Sequence, residues 1–448
     1  MRVSSVVALV FVLSTSLSAQ MNFEQGDSRS INSPISYQAL SLFRTDSAKY
    51  RVDIHYRIGQ SFFIFVRNES PGSNGSYIAR GELIVELLND QRVSVAREIR
   101  QLPLARNTLP RETDRPPGIQ GVVSLSAPPG TYTVVFSVDD RESGRTFMER
   151  NRKITLLAPS LKTLEASDIV FIQRPVVEPG SAMVVATNRG GHTLFGESGS
   201  VLAEIYTPSP SDTLSVQWKL TGKAETFGQQ AVNLQGTSFT SWSGLLEPLP
   251  QEHGILYGVK NLAGNWKTVV IPLPLEKLLS GKYTLDLTYV SGTFKKQQLH
   301  QFSVVWPSRP LSLTDPELAV DALRHIASEQ EIEKMQSGSI EQRSGVFNEF
   351  WRSRSPDTLS AYNVTMAEYY YRVDEAMRKF STARENDGYK TDRGRIYILY
   401  GQPQKSDRML QPNSSPMEIW TYDRLRRRFV FIDTAKNGNY ILSQAENL

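Results

Sequence analysis

From residue 50 the chain alternates. Tyr50, Val52, Ile54, Tyr56 and Ile58 fall on one side, and Arg51, Asp53, His55 and Arg57 on the other. A period of two is that of a half-buried strand, so this segment reads as a strand with a wet polar face, on which His55 is expected to be a solvated ring. Further β-type runs follow at 62–66, 82–88, 93–99, 122–125, 132–138 and 147–156, with turn-rich spacers such as the Ser-Pro-Gly-Ser-Asn-Gly-Ser of 70–76. Many short strands at this spacing predict a β-sandwich. The grammar repeats at 169–172, 183–187, 202–206, 214–220, 266–271, 283–289 and 299–306. Leu214, Val216, Trp218 and Leu220 alternate there with Ser215, Gln217 and Lys219, again leaving one face wet.

A weak repeat links the two regions. The Gly-Thr-Tyr-Thr that begins at Gly130 matches the Gly-Lys-Tyr-Thr that begins at Gly281, and each strand is followed by a Gly-containing hairpin. A glycine that tolerates positive φ suits a turn running into a strand. Duplication of one sandwich and convergence on a common turn grammar both account for the match, and two β domains are predicted either way.

After Trp306-Pro-Ser-Arg-Pro310 the period changes to that of helices. Asp315-Pro-Glu opens one that carries Leu318, Ala322, Leu323 and Ile326, with proline in the first turn. A second carries Phe347, Phe350 and Trp351. A third, capped by Asp357 or Thr358, carries Met366, Tyr369, Tyr370, Val373, Met377 and Phe380. In the run Tyr369-Tyr370-Tyr371 only part of the set can share a helix face, so core packing is the expected role rather than a sugar-stacking platform. Strands are predicted again at 395–400, 418–422, 429–432 and 440–442, which makes this region an α+β module.

Length and composition narrow the class. The chain has 448 residues, 50 Lys+Arg against 46 Asp+Glu, 40% hydrophobic residues and no cysteine. Wholesale disorder and a disulfide scaffold are excluded, and a net charge of +4 without a basic stripe argues against nucleic acid. Residues 1–19 read as a secretory signal peptide: Arg2, an apolar run from Val6 to Leu13, then small polar residues before Gln20. The apolar run falls short of the about 20 residues that span a bilayer, and no later segment approaches one. In a eukaryotic secretory pathway Asn68, Asn74, Asn363 and Asn413 would be glycan acceptors.

Catalytic patterns are sparse. His55, His192, His253, His300 and His325 stand singly, none with a partner at metal-ligand spacing, so no metal or cofactor is predicted. No nucleophile elbow, Ser-x-x-Lys pair, zinc-protease helix or phosphate loop occurs. Glu349, Glu368, Asp374, Glu375 and Asp392 are the carboxylates that could converge in an acid–base pair. Arg424, Arg426, Arg427 and Arg428 read as a solvated turn, with an anionic lipid or polysaccharide contact as the alternative.

The module also carries a recognisable constellation. Phe350-Trp351, Arg372-Val-Asp-Glu-Ala376, Phe380 and the run from Gly388 to Pro403 resemble the GWxTD domain, a family of exported proteins of Bacteroidetes and related phyla. The motif stands here as Gly388-Tyr389-Lys390-Thr391-Asp392, with Tyr in place of Trp. An aromatic ring is kept and the indole N–H is lost. The family has no established activity, so the resemblance implies an export address and an architecture rather than a reaction. Two readings of the motif stand. Thr391 and Asp392 suit a turn or cap, with Gly394 free to take positive φ before a strand and Asp392 able to pair with Arg393, Arg395 or Arg372. Alternatively, Trp351, Tyr389, Asp392 and Arg393 line a binding groove, with Arg372, Thr391 and Gly394 beside them.

The expected protein is therefore a signal peptide (1–19), two all-β sandwiches (20–160 and 161–307) and a GWxTD-like α+β domain (311–448). Its expected role is a non-catalytic envelope protein, periplasmic, outer-membrane associated or at the cell surface. It would bind another envelope protein or a surface glycan through the last domain. The alternative is a hydrolase of envelope glycan or peptide using carboxylates near Asp392.

Overall fold

The computed structural model describes residues 33–447, apart from 45–49, 69–75, 109–117, 159, 174–175, 179–180, 227, 250, 252–253, 263, 383–384 and 413. The signal peptide expected at 1–19, His253 and most of the 70–76 spacer lie outside the described residues.

The first sandwich is built from β1 (Ile35–Leu42), β2 (Tyr50–Ile58), β3 (Tyr77–Leu88), β4 (Ser94–Arg106), β5 (Ile119–Ala127), β6 (Gly130–Asp140) and β7 (Thr146–Leu156). Strands β1, β2 and β5 form one antiparallel sheet, and β4, β3, β6 and β7 the other, in those orders. Alternation places Val52, Ile54, Tyr56 and Ile58 of β2 against Leu83, Val85 and Leu87 of β3 and Val134, Phe136 and Val138 of β6. The strand expected at 62–66 is instead a 3-10 turn at Gln60–Phe62 with strand pairing only at Val66–Arg67. Phe62 and Phe63 are both buried there, edge to face at 5.3 Å. A strand would send neighbouring side chains to opposite faces.

The second sandwich repeats this plan with additions. Its strands are β8 (Val170–Ile172), β9 (Ser181–Ala186), β10 (Gly199–Tyr206), β11 (Leu214–Thr226), β12 (Gly228–Gly236), β13 (Leu245–Leu249), β14 (Ile255–Lys260), β15 (Trp266–Leu273), β16 (Gly281–Ser291) and β17 (Phe294–Val305). Leaving aside four short strands (Glu165–Ala166, Val176–Glu178, Thr193–Leu194 and Thr240–Ser243), one sheet runs β15-β10-β8-β9-β14-β13 and the other β17-β16-β11-β12. In each half a three-strand core (β1-β2-β5, β8-β10-β15) faces a sheet of two adjoining hairpins (β4-β3-β6-β7, β12-β11-β16-β17). The repeated Gly-x-Tyr-Thr lies at the same place in both. Tyr132 donates to the carbonyl of Pro128 at 2.9 Å, and Tyr283 to that of Leu279 at 2.7 Å. The expected positive φ is absent from Gly130 and Gly281. At Gly281 the need is room, because a Cβ would collide with the carbonyl of Lys223.

The two sandwiches share a third apolar layer. Leu40 and Leu42 of β1 pack with Val170, Ile172, Val184, Ala186, Leu202 and Tyr257 of the second sandwich. The sheet β1-β2-β5 is thus covered on both sides, and the polar face of β2 is not wet. Arg51, Asp53 and His55 are 8%, 0% and 1% exposed. The expected solvated His55 is buried, because its face is closed by a second sheet from distant sequence.

The C-terminal module follows the expected order. Asp315 caps α1 (Pro316–Asp321), and Ser328 and Ser339 form capping boxes on α2 (Glu329–Gln336) and α3 (Ile340–Arg352). Helix α4 (Val364–Phe380) starts later than expected. Its cap is Asn363, not Asp357 or Thr358: the Asn363 side chain accepts from the Met366 amide at 3.0 Å and donates to the Trp351 carbonyl at 2.6 Å. Tyr369 and Tyr370 enter the core and Tyr371 is exposed. The sheet β18 (Lys405–Met409), β19 (Met417–Tyr422), β20 (Arg427–Ile432) and β21 (Ile441–Asn447) is antiparallel in chain order. Trp306 packs on Phe195 and Tyr362, and the Ala361 amide donates to the Glu276 carbonyl at 2.7 Å, so the module is joined to the second sandwich.

One strand prediction fails in kind. Residues 395–400 belong to helix α5 (Asp392–Tyr400), despite the β-favouring Ile-Tyr-Ile-Leu-Tyr. Thr391 caps this helix, and packing of Ile396, Tyr397 and Ile398 among buried aromatics overrides local propensity.

Candidate functional site

Gly388 opens a single 3-10 turn, Gly388–Lys390, that delivers the chain from α4 into α5. Its neighbours leave no room for side chains. A Cβ on Gly394 would collide with the Gly388 carbonyl, and one on Gly388 with the Ala376 carbonyl. Gly394 lies inside α5 and is needed for close approach, not for the positive φ expected of it; that conformation occurs at Gly401, after the helix, with φ 79°. Thr391 Oγ1 donates to the Gly388 carbonyl at 2.8 Å and accepts from the Gly394 amide at 3.0 Å. The threonine closes the turn and caps the helix at once.

Asp392 fastens this corner to the sheet. One carboxylate oxygen accepts from the Leu442 amide of β21 at 2.8 Å, and the other pairs with Arg395 at 3.0 Å. Arg393 turns into the interior, 8% exposed, and pairs with Glu418 at 3.0 Å. It also donates to the Gly438 carbonyl at 3.0 Å and lies over the Tyr440 ring at 4.3 Å. Burial raises the Glu418 pKa, but the Trp420 indole N–H and Arg393 outweigh it and hold the carboxyl below its usual range. Arg372 donates to the Ile398 carbonyl at 3.2 Å, a cation over the last turn of α5.

Tyr389 is 2% exposed, and its hydroxyl bonds to Asp321 at the end of α1. Lys390 pairs with Asp387 at 2.7 Å and Asp321 at 3.3 Å. Burial raises the Asp321 pKa, yet bonds from Tyr389, Arg324 and Lys390 bring it below the ordinary value. Tyr389 is itself pushed up, chiefly by burial and then by Asp321. An open depression of about 390 Å³ beside it is lined by Glu317, Leu318, Asp321, Gln336, Asp387 and Tyr389.

The structure therefore gathers Arg372, Tyr389, Thr391, Asp392, Arg393 and Gly394 around one corner. It sets Trp351 apart, 2% exposed and packed on Tyr369 and Tyr370 at 5.4 and 5.6 Å. Trp351 lines neither this depression nor the shallow one of about 400 Å³ between α2 and α3. Sequence reading missed Asp321 and Glu418, the acids that receive Tyr389 and Arg393. An aromatic and an arginine flanking Thr-Asp signalled that such partners were needed, but not where they lie. Among the described residues no group of three His, Asp or Glu is placed to hold a metal ion.

A second polar cluster lies between the sandwiches. Asp53 accepts from Ser124 and Tyr257 at 2.7 Å each and pairs with Arg51 at 3.1 Å. His55 Nε2 bonds the Tyr257 hydroxyl at 2.7 Å. Glu204 accepts from the Phe43 and Leu246 amides at 2.6 and 2.9 Å, with Arg51 3.8 Å away. Burial pushes the Glu204 carboxyl up to about 7 against the pull of Arg51, and lowers His55 to about 4. No depression opens onto these groups among those lined by the residues above. The cluster reads as a polar seam that fixes one sheet against the other.

Comparison with known proteins adds one strong result. The GWxTD domain family matches residues 288–447. No curated protein matches the chain. Similar solved structures include a red sea bream transglutaminase, 10% identical with a TM-score of 0.17, covering 61% of this chain and 31% of that one. Another is the C-terminal domain of the Streptococcus agalactiae AgI/II polypeptide BspA, 9% identical with a TM-score of 0.16, covering 60% and 100%. Scores this low carry no argument about fold or function. No helix among the described residues is long and apolar enough to cross a membrane. The match runs from the last two strands of the second sandwich through the module whose corner holds Gly388, Thr391 and Asp392, so this chain of two β-sandwiches and a C-terminal α+β module carries a GWxTD domain over residues 288–447.

Proposed function

We propose that this is an exported, non-catalytic envelope protein that binds another envelope protein or a surface glycan through its GWxTD domain. The observation that carries the non-catalytic part is the structural use of both Asp392 oxygens: one holds the Leu442 amide and the other Arg395. A general acid or base keeps an oxygen for the proton of its substrate. Export rests on the leader pattern at 1–19. The sandwiches, sealed face to face, act as a stiff arm that holds the module away from their far end.

Cell fractionation of the full chain, followed by chemical crosslinking in the intact envelope, tests both parts. The expected result is a processed chain outside the cytoplasm, crosslinked to a specific partner with the contact in 311–447. Retention of residues 1–19 in the cytoplasm, or a glycan- or peptide-hydrolysing activity lost in Asp392→Asn with unchanged stability, would overturn it.

A further inference from the structure

The C-terminal sheet has one face against the helices, where Trp420, Phe429 and Phe431 join the module core. Its other face carries an apolar row that crosses all four strands. Met409 is the register partner of Met417, Met417 of Ile432, and Ile432 of Ile441. Half-buried Ile419 and buried Val430, the latter only 5% exposed, pair with each other and form the floor of a second rank beside it. None of these six belongs to the helix-side core. Met409 and Ile441 are 49% and 50% exposed, and Leu410 just beyond the row is 67% exposed. A solvated sheet face ordinarily alternates toward polar residues, so an in-register aliphatic row there marks a contact surface.

Charge describes what would cover it. On the same face, Lys405 is neutralised by Asp407 at 3.1 Å and Arg428 by Glu446 at 2.8 Å. The hairpin between β19 and β20 adds Arg424 and Arg426 against one acid, Asp423, and among the described residues neither arginine has an ion-pair partner, which leaves one surplus positive charge. The face is thus aliphatic at one end and carries surplus positive charge at the other. We propose that it docks a protein partner that presents aliphatic side chains with Asp or Glu at one end. This inference rests on the binding role proposed above and names its surface.

Two other occupants fit less well. A second copy laid face to face would bring Arg424 and Arg426 either against their own counterparts or against Lys436 in the opposite hairpin, so like charges meet. An anionic lipid surface would press on Asp407 and Glu446, which share the face.

The test places the photo-crosslinking residue p-benzoylphenylalanine singly at positions 409 and 441, and at the exposed positions 359 and 371 elsewhere on the module, in the full chain in its native cells. The expected result is an adduct with a distinct protein from 409 and 441 only, attached through a peptide bearing Asp or Glu beside aliphatic residues. Arg424→Glu/Arg426→Glu should reduce that adduct about tenfold with the melting temperature unchanged. An adduct that survives this change, a dimer of the chain, or a lipid adduct would each overturn the proposal. Adducts from 359 or 371 alone would overturn the face and leave the binding role intact. Silence at all four positions would overturn both.

Discussion

Between the sandwiches, Asp53 and Tyr257 meet across 204 positions of sequence, while at the module corner Thr391 reaches Gly388 and Gly394 across three. Both clusters bury charged and hydroxyl groups, and both hold one layer on another. They differ in what supplies the geometry. The corner is set by the backbone itself, through two glycines that no side chain can replace, and its side chains complete it. The seam is made by side chains that reach across from distant strands, to one another and, from Glu204, to the Phe43 and Leu246 amides. A polar cluster of the first kind leaves a motif in the sequence; one of the second kind leaves isolated residues at strand spacing.

The strongest way to break this comparison is at the seam. Arg51→Met strips the cation from two buried carboxylates, and equilibrium unfolding should show a loss of about 3–5 kcal/mol. A loss under about 1 kcal/mol would mean that the seam is wet. At the corner, Gly394→Ala forces backbone apart and should cost about 3 kcal/mol, read in the transition of the module while that of the sandwiches stays in place.

pH separates the two regions next. His55, held neutral with a pKa of about 4 against an ordinary 6.5, contributes stability in full above pH 6.5, and this is lost as pH falls toward 4. Glu204, raised to about 7 from 4.5, contributes in full below pH 4.5 and loses it as pH rises through 7. The two oppose each other between pH 4.5 and 6.5. Glu204→Gln removes one of them, so its stability should fall with acid more steeply than that of the parent chain, by about 1.4 kcal/mol per pH unit. Asp392→Asn weakens a half-exposed ion pair and one amide bond, and should cost about 1 kcal/mol. Arg424→Glu/Arg426→Glu, which touches neither cluster, should alter stability by no more than about 0.5 kcal/mol.

Much of the architecture was legible because it is periodic. Alternation in 132–138 and 214–220, and helical spacing in 366–380, correspond to β6, β11 and α4. The polar strand β18 has no apolar period to reveal it, and β12 shows only Val232 and Leu234 on either side of Asn233. His55 was misplaced for a different reason. One sheet face looks wet in sequence whether water or another sheet's polar groups cover it. The helix α5 was read as a strand because Ile396-Tyr-Ile-Leu-Tyr400 has β propensity, whereas its capping threonine and the crowding around Gly394 decide otherwise. At the site, the residue types of the corner were visible, but their direction was not. Thr391, Asp392 and Arg393 look alike in a turn and in a groove until Gly388, Leu442 and Glu418 are placed around them.

Amide hydrogen exchange of the full chain tests the central claim, that the motif faces inward as a brace, most directly. The amides of Gly394 and Leu442, bonded to Thr391 and Asp392, should exchange as slowly as those of α4 and β20, and in Asp392→Asn the Leu442 amide alone should speed up markedly. Exchange of both amides at the rate of an exposed loop in the parent chain would contradict the brace and return Thr391 and Asp392 to the surface.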